Sequence, residues 1–246
     1  MAPFRFGIVA AQASSGTQWK ELATRAEAAG YSSLLMPDGS GPVLAPFSAL
    51  ATAAAVTTRL KVGNWVRLSR LAEILEIIGR LFRGQTVTFE GRYYSVRNST
   101  LSPKLSQPIK VLVAASGPRA VKLAGERADI VALAAGSREH FLQQVATLEA
   151  AAGERFAQLE LASIAWLMPD DDPAAAEAAR SIVRRLSNSD VETLQSQQAP
   201  TVLAGSRESM IDQLQERRAA LGLSYIVVNA QALDWFAPVV QRLAGT

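Results

Sequence analysis

Short apolar runs alternate with segments of helical spacing along almost the whole chain, and this alternation constrains the fold more than any other feature. Residues 4–9 read as a buried strand. Trp19, Leu22, Ala26 and Ala29 follow as the apolar stripe of a helix that Gly30 closes. A second strand at 31–36 leads through a Gly/Pro loop to an Ala-rich helix at 46–57. A third strand at 60–66 precedes Leu68, Leu71, Ile74, Leu75, Ile78 and Phe82 at helical spacing. The rhythm resumes with strands at 109–114, 130–134, 159–168 and 225–228. Between them lie helices at 118–128, 139–152, 172–186 and 206–221, with a short closing helix near 235–243. Residues 187–200 carry no clear signal.

These seven strands are too uniformly apolar to leave one face in water, which predicts a parallel sheet covered by helices. The pattern alone admits a closed barrel or an open doubly wound sheet. A standard barrel of about 250 residues has eight strands. Residues 85–108 stand outside the repeat. Val87, Phe89 and Tyr93 there alternate like a small hairpin turned at Glu90-Gly91-Arg92.

Composition narrows the chemistry. With no cysteine, disulfides, thiol nucleophiles, Cys-ligated zinc and iron–sulfur clusters are excluded, and a reducing, cytoplasmic setting is expected. His140 is the single histidine, so a histidine metal site or a Ser-His-Asp relay is a poor expectation, and no metal is predicted. It reads as a solvated or capping residue at a helix start. The net charge of +3 comes from scattered Lys and Arg without interleaved aromatics, which argues against nucleic acid. No apolar run approaches the roughly 20 residues that cross a bilayer.

Several stretches resemble the luciferase-like monooxygenase family, particularly its deazaflavin-dependent branch. They include Phe4-Arg5-Phe6-Gly7, Ala28-Ala29-Gly30-Tyr31 leading to Leu35-Met36-Pro37-Asp38, Thr57-Thr58-Arg59-Leu60-Lys61-Val62-Gly63, Gly84-Gln85-Thr86-Val87-Thr88-Phe89-Glu90-Gly91, Val113-Ala114-Ala115-Ser116-Gly117-Pro118-Arg119 and Leu223-Ser224-Tyr225-Ile226-Val227-Val228. Each is weak alone; their shared order is specific. In the family, the strand matching 60–66 is followed by a helix, a fourth strand ending in a Gly-rich cofactor turn, and a long loop. Here Trp65-Val66 runs directly into Arg67-Leu68, so about one helix–strand unit is absent. Losing a whole unit keeps the alternation in phase. The resemblance therefore implies a TIM-barrel-like (βα) barrel truncated to about seven strands, one domain over 1–246 with a hairpin insertion at about 85–108. If the ring stays open, two buried-type strands expose backbone edges, and a homodimer is expected to cover them.

Barrel chemistry sits at strand C-termini. Asp38 ends the second strand, where the family commonly carries Asp-His; here Asp38-Gly39 lacks the histidine, and an Asx turn competes with a role at the cofactor ring. Asn64 and Trp65 end the third strand, with Trp65 a candidate for pocket lining or for filling the space left by the missing unit. Ser116, Gly117, Pro118 and Arg119 form the best anion site: free N–H groups at a helix start favour phosphate, and the resemblance implies that this loop holds the phosphate of FMN or of the deazaflavin coenzyme F(420). Gly205 and Ser206 form a second helix start that can assist an anion or simply cap. Gln12 and Asn229, after the first and last strands, are candidate substrate contacts. Asp170-Asp171-Asp172 suits a helix start before Pro173 better than a metal. The expected activity is hydride transfer to or from a small organic substrate by a deazaflavin- or FMN-dependent oxidoreductase or monooxygenase-like protein. The alternative is a family member without redox work and without cofactor: a cyclase, isomerase or ligand-binding protein of secondary metabolism.

Overall fold

A computed structural model describes residues 2–10, 13, 15–37, 46–65, 68–102, 109–134, 136–186 and 189–246, with the backbone alone for 37, 46–47, 64–65, 68–70 and 186. The expected alternation is present. Strand β1 (Arg5–Val9) leads to helix α1 (Gly16–Ala28), β2 (Ser33–Pro37) to α2 (Pro46–Ala55), and β3 (Lys61–Trp65) to α3 (Leu68–Phe82). The antiparallel hairpin β4 (Val87–Glu90) and β5 (Ser95–Ser99) follows, and then β6 (Leu112–Ala115), α4 (Pro118–Arg127), β7 (Ile130–Leu133) and α5 (Arg138–Ala152).

Beyond α5 the chain is more divided than its sequence pattern suggests. The single strand expected at 159–168 is broken into β8 (Glu160–Ile164) and β9 (Trp166–Pro169). Helix α6 (Pro173–Leu186) and the short α7 (Val191–Ser196) come next, followed by β10 (Val202–Gly205), α8 (Arg207–Leu221), β11 (Leu223–Asn229) and α9 (Leu233–Leu243). At Ala165 the N–H donates to Val227 O, and one residue later Trp166 N–H turns to Thr201 O. The strand thus leaves the main sheet and pairs with β10 instead.

The main sheet has seven strands in the order β3-β2-β1-β11-β8-β7-β6, every neighbouring pair parallel. It curls into a half-barrel. Strands β3 and β6 are the two ends of that order, and among the described residues no strand lies on their outer edges. The opening therefore lies between β3 and β6, which α3 and the β4–β5 hairpin separate in sequence.

Alternation along each strand divides its side chains between two faces. Phe6, Ile8, Leu34, Met36, Val113, Ala115, Val131, Ile226 and Val228 face outward into the helix-covered core. Leu35, Ile130, Ala132, Ala162, Tyr225 and Val227 form a separate cluster on the inner face. At the N-terminal end of that inner face, Ser33 Oγ and Tyr225 OH share a short hydrogen bond, and the Arg5 guanidinium lies 4.5 Å over the Tyr225 ring and 2.6 Å from Glu160 Oε2. Gly7 is required there: a Cβ at that position would come within 2.5 Å of Ser33 Oγ and 3.1 Å of Tyr225 OH. This polar cluster closes the end of the half-barrel opposite the strand C-termini.

Candidate cofactor site

Because the strands are parallel, their C-termini share one rim, where Asn64 and Trp65, Ser116 to Arg119, and Asn229 stand at the ends of β3, β6 and β11. Ser116 follows β6 and Gly117 precedes α4 with extended backbone (φ −103°, ψ 160°). Gly117 supplies no side-chain cap, and Pro118 occupies the first turn. The contrast with other helices is chemical. Ser15, Ser137, Asp190 and Ser206 each accept a backbone N–H at the start of α1, α5, α7 and α8, and Asp172 Oδ1 accepts Ala175 N–H at 2.9 Å in α6. At α4, as at α9 with its Ala232 start, the first-turn N–H groups and the positive end of the helix dipole have no such side-chain acceptor among the described residues. Among the described residues nothing beyond its chain neighbours lies within 4 Å of where a Gly117 Cβ would be, and Arg119 is exposed on the same turn. The arrangement can receive an oxyanion: donors, dipole, space and an exposed cation coincide.

The second helix start behaves as a cap. Ser206 Oγ accepts Ser209 N–H at 3.3 Å, and Gly205 takes φ +101°, a backbone that favours glycine. It ends β10 in the separate two-stranded sheet. Arg217 braces that strand by donating to Pro200 O at 2.9 Å and Val202 O at 2.5 Å; burial lowers its pKa to about 10, and it stays charged at neutral pH. The acidic triplet is structural as well. Asp171 accepts from Trp235 Nε1 and from Arg207, whose guanidinium lies 4.3 Å over the Trp235 ring, while Asp172 caps α6. Among the described residues no group of three or more His, Asp or Glu is placed to hold a metal. His140 is exposed, and its backbone N–H is the one that Ser137 caps.

Asn229 ends β11 and lines a small cavity of about 40 Å³ with Ala165, Leu167, Ala179, Ile182 and Ala232. Its wall is almost wholly aliphatic. Asn64 and Trp65 stand at the end of β3, paired in register with Met36 and Pro37; only their backbone is described. Asp38 and Gln12 lie outside the described residues.

Three residues that sequence reasoning passed over organise this rim and its supports. Gln144 of α5, buried at 5% exposure, donates through Nε2 to Ser116 O at 2.8 Å and to Ala134 O at 3.4 Å. The signal was available: Phe141, Val145 and Leu148 make an apolar stripe, and Gln144 interrupts it. Glu27 of α1 accepts the N–H groups of Thr58, Arg59 and Leu60 just before β3. Glu73 of α3 accepts those of Arg92, Tyr93 and Tyr94 in the hairpin turn. Backbone donors, Arg59 N–H foremost, hold the Glu27 carboxyl below the ordinary range. At Glu73 desolvation pushes the other way and the three donors prevail, with the same net direction. Neither glutamate carried a recognisable motif.

The luciferase-like monooxygenase family profile matches residues 1–68 and 65–233, two pieces that meet where β3 gives way to α3. Over 63 residues the chain is 43% identical to an F(420)-dependent glucose-6-phosphate dehydrogenase of Microbacterium testaceum, which covers 26% of this chain and 19% of that enzyme. It thus spans well under two thirds of that relative's length. In three dimensions it resembles the coenzyme F(420)-dependent tetrahydromethanopterin reductase of Methanopyrus kandleri, with a TM-score of 0.79 at 17% identity over 98% of this chain and 99% of that one. A long-chain alkane monooxygenase aligns with a TM-score of 0.73 at 12% identity, over 99% and 91% of the two chains. At such identities the structures speak for the fold. The profile, covering most of the sequence, speaks for descent: the chain belongs to the luciferase-like monooxygenase family.

Proposed function

We propose that the protein is an oxidoreductase that holds FMN or the deazaflavin coenzyme F(420) across the strand C-termini, with the cofactor phosphate at the start of α4, and acts on a small organic substrate. One observation carries this reading: α4 opens on Gly117 with no side-chain acceptor, and among the described residues nothing occupies the space before it. A phosphate fits that chemistry, because Gly117, Arg119 and Ala120 can each donate an N–H, Pro118 pre-sets the helical turn, and Arg119 adds charge. When bound, the cofactor supplies hydride transfer, and the protein orients it and excludes water. By their place after β2 and at the end of β3, Asp38, Asn64 and Trp65 would border the ring. Gln12 and Asn229 would hydrogen-bond the substrate, and the aliphatic cavity beside Asn229 would take an apolar group of it.

Visible-absorbance titration with each cofactor tests the proposal. Saturable binding of either one, weakened by Gly117→Asp, is the expected result. Absence of binding by both overturns it and favours a cofactor-free cyclase, isomerase or ligand-binding protein, a reading supported by the gap between β3 and β6, which removes part of the rim. We further propose a cytoplasmic homodimer, since a second copy would cover the free edges of β3 and β6. No helix among the described residues is long and apolar enough to cross a membrane. Light scattering at micromolar concentration should give twice the chain mass; a monomer would dismiss the edge-covering argument.

A further inference from the structure

We infer that Gln144 is a positioning residue for the phosphate loop: it sets the direction in which the Gly117 N–H points. The inference rests on reading the start of α4 as the phosphate site. In a trans peptide the carbonyl oxygen and the following N–H point in opposite directions across one plane. Fixing the Ser116 carbonyl therefore fixes the Gly117 N–H. Gln144 Nε2 donates to that carbonyl at 2.8 Å from the buried side, which turns the Gly117 N–H away from α5.

Two further observations give this contact a purpose beyond packing. The same Nε2 reaches Ala134 O at 3.4 Å, so one carboxamide joins the loops that follow β6 and β7. Strand β6 is an end of the sheet, with β7 its single strand neighbour among the described residues, and its loop is braced from one side. Meanwhile Gln144 Oε1 is buried without a hydrogen-bond partner among the described residues. Burying an unpaired acceptor is unfavourable, and an aliphatic side chain would complete the Phe141–Val145–Leu148 stripe without it. The contacts of the carboxamide lie at its donor end.

The test compares each cofactor with its phosphate-free counterpart, riboflavin for FMN, in wild type, Gln144→Leu and Gln144→Glu. Wild type should prefer the phosphorylated form. Gln144→Leu should weaken that form about tenfold, the scale of a lost charge-assisted contact, and leave riboflavin within about twofold. Gln144→Glu should approach wild-type preference as the pH is lowered, because only a protonated carboxyl can donate to the Ser116 carbonyl; each pH is read against wild type to remove titration of the phosphate itself. A phosphate preference that survives in both variants overturns the inference while leaving the phosphate site standing. Equal affinity for both forms in wild type instead refutes the site, and Gln144 is then judged by hydrogen exchange of the free protein. Exchange at Gly117, Arg119 and Ala120 should be faster in Gln144→Leu with the middle of α5 unchanged. Unaltered exchange at those amides rejects the positioning role.

Discussion

Strand β11 and the two end strands share one fold and live in different surroundings. β11 is flanked by β1 and β8, and every residue from Leu223 to Val228 is buried. At the open side, Ala114 of β6 is exposed although it occupies a strand interior, and Val62 and Gly63 of β3 are only half-buried. Ladder partners on both sides and helices behind them make the closed half a core. One missing neighbour turns an equivalent strand into a surface. The candidate site straddles this contrast, with Asn229 on the closed half and Ser116–Arg119, Asn64 and Trp65 on the open one.

The largest test of the contrast is a pair of truncations. Ile226→Ala, in fully packed surroundings, should cost about 2–5 kcal/mol in urea unfolding, while Val62→Ala on half-buried β3 should cost about 1 kcal/mol or less. Equal costs would show that the open side is as well packed as the other. Next in size, Gly117→Asp should lower affinity for the phosphorylated cofactor at least about tenfold, near 1.4 kcal/mol, by setting a carboxylate before the phosphate. Its melting temperature should hardly move, because the position has room and an ordinary φ. A destabilised protein would mean that the loop is structural. Tyr225→Phe, which strands the buried Ser33 hydroxyl, should cost about 1–2 kcal/mol with cofactor binding untouched, separating the closed end from the rim.

Acid should weaken the supports of the open half. Folded-state carboxyls held low, as at Glu27 and Glu73, favour the native state above the ordinary value of 4.5, and that contribution disappears as the pH falls through their lower folded values. Circular dichroism of Glu27→Gln with Glu73→Gln should therefore show a shallower loss of stability below pH 4.5 than wild type. An unchanged acid profile would mean that other carboxylates dominate.

The chain's alternation made the parallel sheet legible, because strands buried on both faces have to be apolar throughout. The break at Ala165 was not, since β9 and β10 are four-residue strands whose pairing depends on each other and not on any local pattern. Helix α7 hid in a polar stretch that Asp190 organises by accepting Thr193 N–H. Of the site, the start of α4 was readable because a proline in the first helical turn is a local signal, while the ordinary backbone at Gly117 would accept other residues. Glu27 and Glu73 act on turns distant in sequence, and only the folded chain brings them to their donors. Gln144 lay between: its place in an apolar stripe was visible, its carbonyl partners were not.

The gap between β3 and β6 has a mechanical side. A complete hoop of strands can widen only by parting a ladder of hydrogen bonds, whereas a hoop with a slit changes its girth through small adjustments of twist, each nearly free of cost. With no ladder joining β3 to β6 among the described residues, the spacing of these two strands rests on the helix and hairpin that connect them.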